Sequence, residues 1–165
     1  MIVVPSLDCI GREGVQAALV ACEVLLMQDN NRIPLLLKRE WLRQFPSDAG
    51  VYAVFDEHEL IYVGETGSIR ARMTDFLDSR NHVLRRSIGN TQFKDREGFQ
   101  EASAHHRFPD HIEESLIEYI ENQLTVTAVV VPLGRAEIEE HMAAKYRPRY
   151  NAKGKRGSKL HGPTG

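Results

Sequence analysis

Apolar residues recur at helical spacing early in the chain, at Val15, Ala18, Leu19, Cys22, Leu25 and Leu26, and Asp29-Asn30-Asn31 is a turn signal that closes the stretch. The spacing predicts an amphipathic helix whose stripe needs a partner. A short Leu35-Leu36-Leu37 run and a helical turn around Trp41 and Leu42 follow, and Pro46-Ser47-Asp48 marks the approach to the next element. The pattern then changes. GVYAVFD at 50–56 and LIYVG at 60–64 are β-branched and aromatic runs joined by Glu57-His58-Glu59, which predicts a hairpin. Gly64 and Gly67 predict the close of the second strand and a tight turn into a helix over 68–77, with Ile69, Met73, Phe76 and Leu77 inside.

From Asp78 to Pro109 the chain turns polar, which predicts an insertion with one short helix. Asp110-x-x-Glu113 predicts a capping box opening a helix with Ile112, Leu116, Tyr119 and Ile120 on its inner face. TVTAVVVP, from Thr125 to Pro132, is the clearest buried strand. Gly134 ends it, and a last helix over 135–146 is stopped by Pro148. The expected fold is α/β, with a central three-stranded sheet (50–56, 60–64 and 125–131) flanked by helices. A chain of 165 residues supports one ordinary core. The expected organisation is an N-terminal helical extension over 1–47 packed on the domain, a catalytic module over 48–151 with the insertion at 78–109, and a basic flexible tail over 152–165.

Charge sharpens this picture. The net charge is −2, yet every charged residue from Lys145 onward is basic, and Arg70, Arg72, Arg80, Arg85 and Arg86 form a second cationic cluster. Cations concentrated in this way neutralise phosphates even on a mildly acidic chain. Cys9 and Cys22 lack any CxxC pairing, so neither a disulfide framework nor a zinc site is indicated. His105, His106 and His111 read as surface histidines of the insertion. GETGS at 64–68 lacks the lysine and remaining glycine of a phosphate loop. No run approaches the roughly 18 apolar residues that span a bilayer. The expectation is a soluble cytoplasmic protein that handles nucleic acid.

Tyr52 and Tyr62 sit one hairpin apart, each bounded by a glycine, Gly50 and Gly64. Arg72 follows on the next helix beside Arg70. Glu139 has Met142, Ala143 and Tyr146 at helical offsets, so it borders an apolar seam and wants a cation. Hydrolysing a phosphodiester needs an activated water, stabilised phosphoryl oxygens and help for the departing oxyanion. A carboxylate-bound Mg²⁺ or Mn²⁺, an arginine fork and a phenol of lowered pKa meet those needs.

GVY at 50–52, YVG at 62–64, an arginine eight residues past Gly64, and a helix ending KYRPRYN at 145–151 with a glutamate twelve residues before its asparagine resemble the GIY-YIG nuclease family. In order and spacing they are most similar to the N-terminal nuclease half of the bacterial excision-repair incision subunit. The resemblance covers about Ala49 to Asn151. It implies an antiparallel sheet and metal-dependent cleavage of nucleic acid, with DNA the expected substrate. It casts Tyr52 as candidate general base, Tyr62 as the second tyrosine that orders or helps deprotonate the water, and Arg72 as the arginine on the scissile phosphate. Glu139 becomes the metal-binding carboxylate, Gly50 and Gly64 the motif glycines, with Gly64 a turn close to the phosphate, and Asn151 the tie of the motif's end to the core.

Arg70, Arg80, Arg85, Arg86 and Lys145 are the expected substrate-backbone contacts. Two positions depart from the family pattern. Glu65 stands where lysine is frequent, and Phe76, four after Arg72, where a tyrosine or histidine is frequent. His58, His82 and His141 are the candidates to replace the latter. These departures motivate an alternative, a nucleic-acid-binding module that grips without cutting, or a subunit that works with a partner. Association with a second copy or another protein is expected through Leu19, Leu25 and Leu26 of the first helix.

Overall fold

The computed structural model describes residues 12–151, so Cys9 and the basic tail from position 152 lie outside the described residues. Strand β1 is Ile33–Pro34, β2 Gly50–Asp56, β3 Glu59–Thr66 and β4 Leu124–Val130; the helices are α1 Arg12–Met27, α2 Ile69–Asp75, α3 Val83–Phe93, α4 Asp110–Gln123 and α5 Arg135–Tyr146. The sheet runs β1-β4-β2-β3 and every pair is antiparallel. It has four strands where three were expected. The addition, β1, is two residues long and pairs Ile33 with Val126 and Pro34 with Thr125. So brief a strand, half of it proline, leaves no alternating pattern to read.

Layers on both faces explain the uninterrupted apolar run of β2. Tyr52, Val54, Ile61 and Val126 face one core, filled by Ile69 and Met73 of α2, Leu84 and Ile88 of α3, and Ile112, Leu116 and Ile120 of α4. Val51, Ala53, Phe55, Val63 and Val129 face the other, against Cys22 and Leu26 of α1 and Ile138 and Met142 of α5. Alternate residues of one strand therefore enter opposite cores. The stripe of α1 is consumed in the second core. Leu26 is fully buried, so it is closed to the expected association, and Leu19 and Leu25, partly buried, pack on the same cluster; the large apolar residues that α1 leaves exposed are Val15, Val20 and Val24.

The insertion holds one helix, as expected: α3, of 11 residues. Two local expectations change. First, β3 continues through Gly64 to Thr66, and α2 opens at Ser68, whose side chain accepts the Ala71 N–H. Second, Pro109 occupies the N-cap position of α4 with no side-chain cap, and Glu113 turns inward to the buried Arg85, so Asp110 and Glu113 form no capping box. An unpaired buried guanidinium would cost more than one terminal N–H left to water.

Candidate active site

The β2–β3 register places Tyr52 opposite Gly64 and Tyr62 opposite Val54, so the two tyrosines are diagonal neighbours on one face. Their ring centroids are 5.9 Å apart. Gly64 is needed because the Tyr52 ring lies across it: a Cβ there would stand 2.7 Å from the Tyr52 hydroxyl oxygen. Gly50 serves a different purpose. A Cβ at that position would meet the Val129 carbonyl and the end of Ile69, so the glycine lets α2 start directly against the sheet.

Arg72 is carried by α2, with Nη1 3.2 Å from Asp75 Oδ2 and a buried Nε that has no hydrogen-bond partner. Glu139 comes from the far end of the fold on α5. Ile138 and Met142 turn into the core, which leaves Glu139 half-buried beside it, whereas Glu137 and Glu140 are exposed. Arg72 and Glu139 both act electrostatically on Tyr52 and on Tyr62. Four elements thus bring two phenols, a guanidinium and a carboxylate within electrostatic reach of one another.

The phenols differ in environment. Tyr52 is 1% exposed, and burial pushes its hydroxyl well above the ordinary value, with Tyr62 and Glu139 raising it further and Arg72 opposing. Tyr62 is half-buried. Burial raises it too, but the hydrogen bond from Tyr52 favours its ionised form, Glu139 opposes that, and Arg72 helps.

A fifth side chain joins them. His82 Nε2 lies 3.2 Å from the Tyr52 hydroxyl oxygen, and its ring stacks on Phe76 at 3.8 Å between centroids. Burial, then the charges of Arg72, Arg86 and Arg85, hold its pKa down to about 3, so the imidazole is neutral. The sequence left His82 level with His58 and His141. His58 is exposed at the hairpin turn, and His141 is bonded to Glu23 at 2.7 Å.

The GIY-YIG catalytic domain family matches residues 44–160, most of the chain. This protein belongs to the GIY-YIG family. It is an endonuclease of the GIY-YIG type. Among solved structures it is similar to the GIY-YIG N-terminal endonuclease domain of UvrC from Thermotoga maritima bound to magnesium, at 18% identity and a TM-score of 0.38, over 69% of this chain and 94% of that one. A tyrosine-to-phenylalanine variant of the same domain, bound to its catalytic divalent cation, gives 18% identity, a TM-score of 0.39, and coverage of 70% and 94%. No curated protein matches the chain significantly.

Within this GIY-YIG domain the expected cationic surface divides. Arg85 is fully buried, donating to the Phe76 carbonyl and to Glu113, and so does not reach a substrate backbone. Arg86 is half-buried and donates to the carbonyls of Ser79 and Arg80. Arg70 is exposed with its Nε on the Phe45 carbonyl, Arg80 pairs with Asp78, and Lys145 pairs with Glu23. Asn151 bonds the Val63 peptide at both its N–H and its carbonyl. Glu65, the departure from lysine, is paired with Arg135 at 3.1 Å. His105, His106 and His111 are exposed, and no group of three or more His, Cys, Asp or Glu residues suited to a metal occurs among the described residues. No helix among them is long and apolar enough to cross a membrane.

Proposed function

We propose that this GIY-YIG endonuclease cuts DNA with a divalent cation, and that Tyr52, Tyr62, Arg72 and Glu139 carry the reaction. The observation that carries the reading is the convergence of Arg72 and Glu139, from α2 and α5, on the same pair of tyrosines. The donor set fits a hard cation. A single half-buried carboxylate suits Mg²⁺ or Mn²⁺, which keep most of their waters and share their remaining positions with substrate phosphates. When bound at Glu139, such a cation supplies neutralisation of charge on the phosphoryl oxygens.

The chain's own residues do the rest. Arg72 has a buried, unpartnered Nε and an Nη1 shared with Asp75, so a phosphate can take both donors and displace that partly exposed pairing. Burial favours Tyr62 over Tyr52 as the tyrosine nearer the water. Tyr52 is too enclosed to meet a water directly, while Tyr62 keeps an open edge beside the Tyr52 ring. Tyr62 is therefore the group that orients the attacking water and takes its proton, with Tyr52 behind it. Arg70 and Arg80, both exposed, are the proposed backbone contacts. The extension up to position 47, the module over 48–151 and the basic tail remain our division of the chain.

The test is incubation of the purified protein with single-stranded, duplex and branched DNA in Mg²⁺, Mn²⁺ or EDTA, alongside Glu139→Ala. Metal-dependent cuts that vanish in a normally folded variant are the expected result. DNA that is bound but never cut would favour the non-cutting module, and an unfolded Glu139→Ala would make that glutamate structural.

A further inference from the structure

One turn beyond Arg72 the site has the apolar ring of Phe76, which offers no proton and no hydrogen bond. His82 lies flat on that ring, at 3.8 Å and 24° between planes, and presents its edge to both Tyr52 and Tyr62 at centroid distances of 6.3 and 6.2 Å. The imidazole is oriented by its place in the backbone. His82 is the cap of α3, and its Nδ1 accepts the Leu84 N–H at 3.2 Å.

A neutral imidazole has one donor and one acceptor. With Nδ1 accepting, the hydrogen is on Nε2, and Nε2 faces the Tyr52 oxygen at 3.2 Å. A charged ring would place two donors where the cap needs an acceptor, and it would face Arg72 on α2 and Arg85 and Arg86 on α3. The Tyr52 oxygen therefore accepts from His82, which leaves its own O–H for Tyr62, whose ring lies 5.9 Å away between centroids. Both nitrogens of His82 are engaged, so it is not itself a proton acceptor.

The segment that carries His82 is stapled from beneath. Arg85 donates to the Phe76 carbonyl and Arg86 to the carbonyls of Ser79 and Arg80, so two arginines with the charge expected of substrate contacts hold the loop instead. We propose that His82 is a positioning residue, a fixed donor that orders a one-way hydrogen-bond chain from His82 through Tyr52 to the Tyr62 oxygen, in place of a polar side chain at position 76. The proposal rests on the tyrosine reading above. A donor chain ending on Tyr62 stabilises the phenolate and keeps its open edge free for water.

The test is a double-mutant cycle on single-turnover cleavage of a labelled DNA duplex or branched DNA in Mg²⁺, with His82→Asn, Tyr52→Phe and the two combined. Asparagine retains a favoured capping oxygen for α3 and is too short to reach Tyr52. Expected are a fall in cleavage rate of about 10- to 100-fold for either single variant, an unchanged half-saturating enzyme concentration, and a double variant no slower than Tyr52→Phe. Wild-type turnover by His82→Asn, or penalties that multiply, overturns the chain while leaving the tyrosine reading standing. Wild-type turnover by Tyr52→Phe overturns the tyrosine reading itself. A nitrogen-correlated NMR spectrum of the wild-type imidazole at about neutral pH reads the tautomer without any variant. A hydrogen on Nε2 alone is expected, and one on Nδ1 sinks the proposal.

Discussion

Asn151 holds the Val63 peptide by both of its groups: the Val63 N–H donates to Oδ1 at 2.9 Å, and Nδ2 donates to the Val63 carbonyl at 2.8 Å. The Tyr150 N–H adds a bond to the Ile61 carbonyl at 3.1 Å. Together they act as a fragment of strand on the free edge of β3, gripping the backbone on either side of Tyr62. Replacing Asn151 by Ala should lower stability to urea by about 1–2 kcal/mol. Amide exchange at Val63 and Tyr150 should speed up before the rest of the sheet is affected. Unchanged exchange at both amides would mean the clamp is idle in solution.

Gly64 offers a sharper test of the tyrosine wall. A methyl group at position 64 would press on the Tyr52 hydroxyl and ring at 2.7–2.9 Å, and behind that ring lie His82 and Phe76, so the phenol has nowhere to retreat. Gly64→Ala should remain folded with a loss of about 1–3 kcal/mol, while cleavage falls at least about tenfold. Gly67→Ala is the control. A methyl group at position 67 would meet nothing within 4 Å, so both stability and cleavage should stay near wild type.

Much of this arrangement was legible in the residues, for identifiable reasons. The β-branched and aromatic runs at 50–56 and 60–64 and the apolar stretch after Thr125 gave three of the four strands, because burial on both sheet faces leaves a near-continuous apolar signal. The last helix, expected over 135–146, is observed over Arg135–Tyr146. Tertiary pairing was not legible. Nothing local distinguishes Arg85, which is buried on Glu113, from Arg80, which is exposed on Asp78. Gly64 looked like a turn because a glycine required by a ring on the neighbouring strand reads the same as one required by backbone angle. His82 carried no local signal that set it apart from His58 and His141. Its partner Tyr52 is 30 residues away, a distance no periodicity encodes.

The buried pair of Arg85 and Glu113 makes a thermodynamic prediction. Arg85 is fully enclosed, its Nη2 is 2.7 Å from Glu113, and burial pulls its pKa down against the attraction of that carboxylate. Glu113→Ala leaves a buried charge without a partner and should cost about 3–5 kcal/mol in denaturant unfolding. Removing both charges, as Arg85→Met with Glu113→Leu, should recover most of that loss. A double variant as unstable as Glu113→Ala would show that the pair's neutral hydrogen bonds, to Phe76 and Ser79, matter more than its charges.

Glu23 ties α1 to α5 and should make that contact sensitive to acid. Its carboxylate accepts from His141 at 2.7 Å, from Lys145 and from Tyr146 at 2.6 Å. Burial pushes its pKa up, but the bonds from Lys145, Tyr146 and His141 outweigh this and hold it at about 2, below the ordinary 4.5. The folded protein thus takes up this proton less readily than the unfolded chain. The contribution is complete above pH 4.5 and is lost as pH falls from there toward about 2. Glu23→Gln should be less stable than wild type at neutral pH, by about 1–3 kcal/mol, and the gap should close as both proteins are titrated down through that window. Urea unfolding at several pH values measures it. A gap independent of pH would mean that shape at position 23, rather than charge, holds the two helices together.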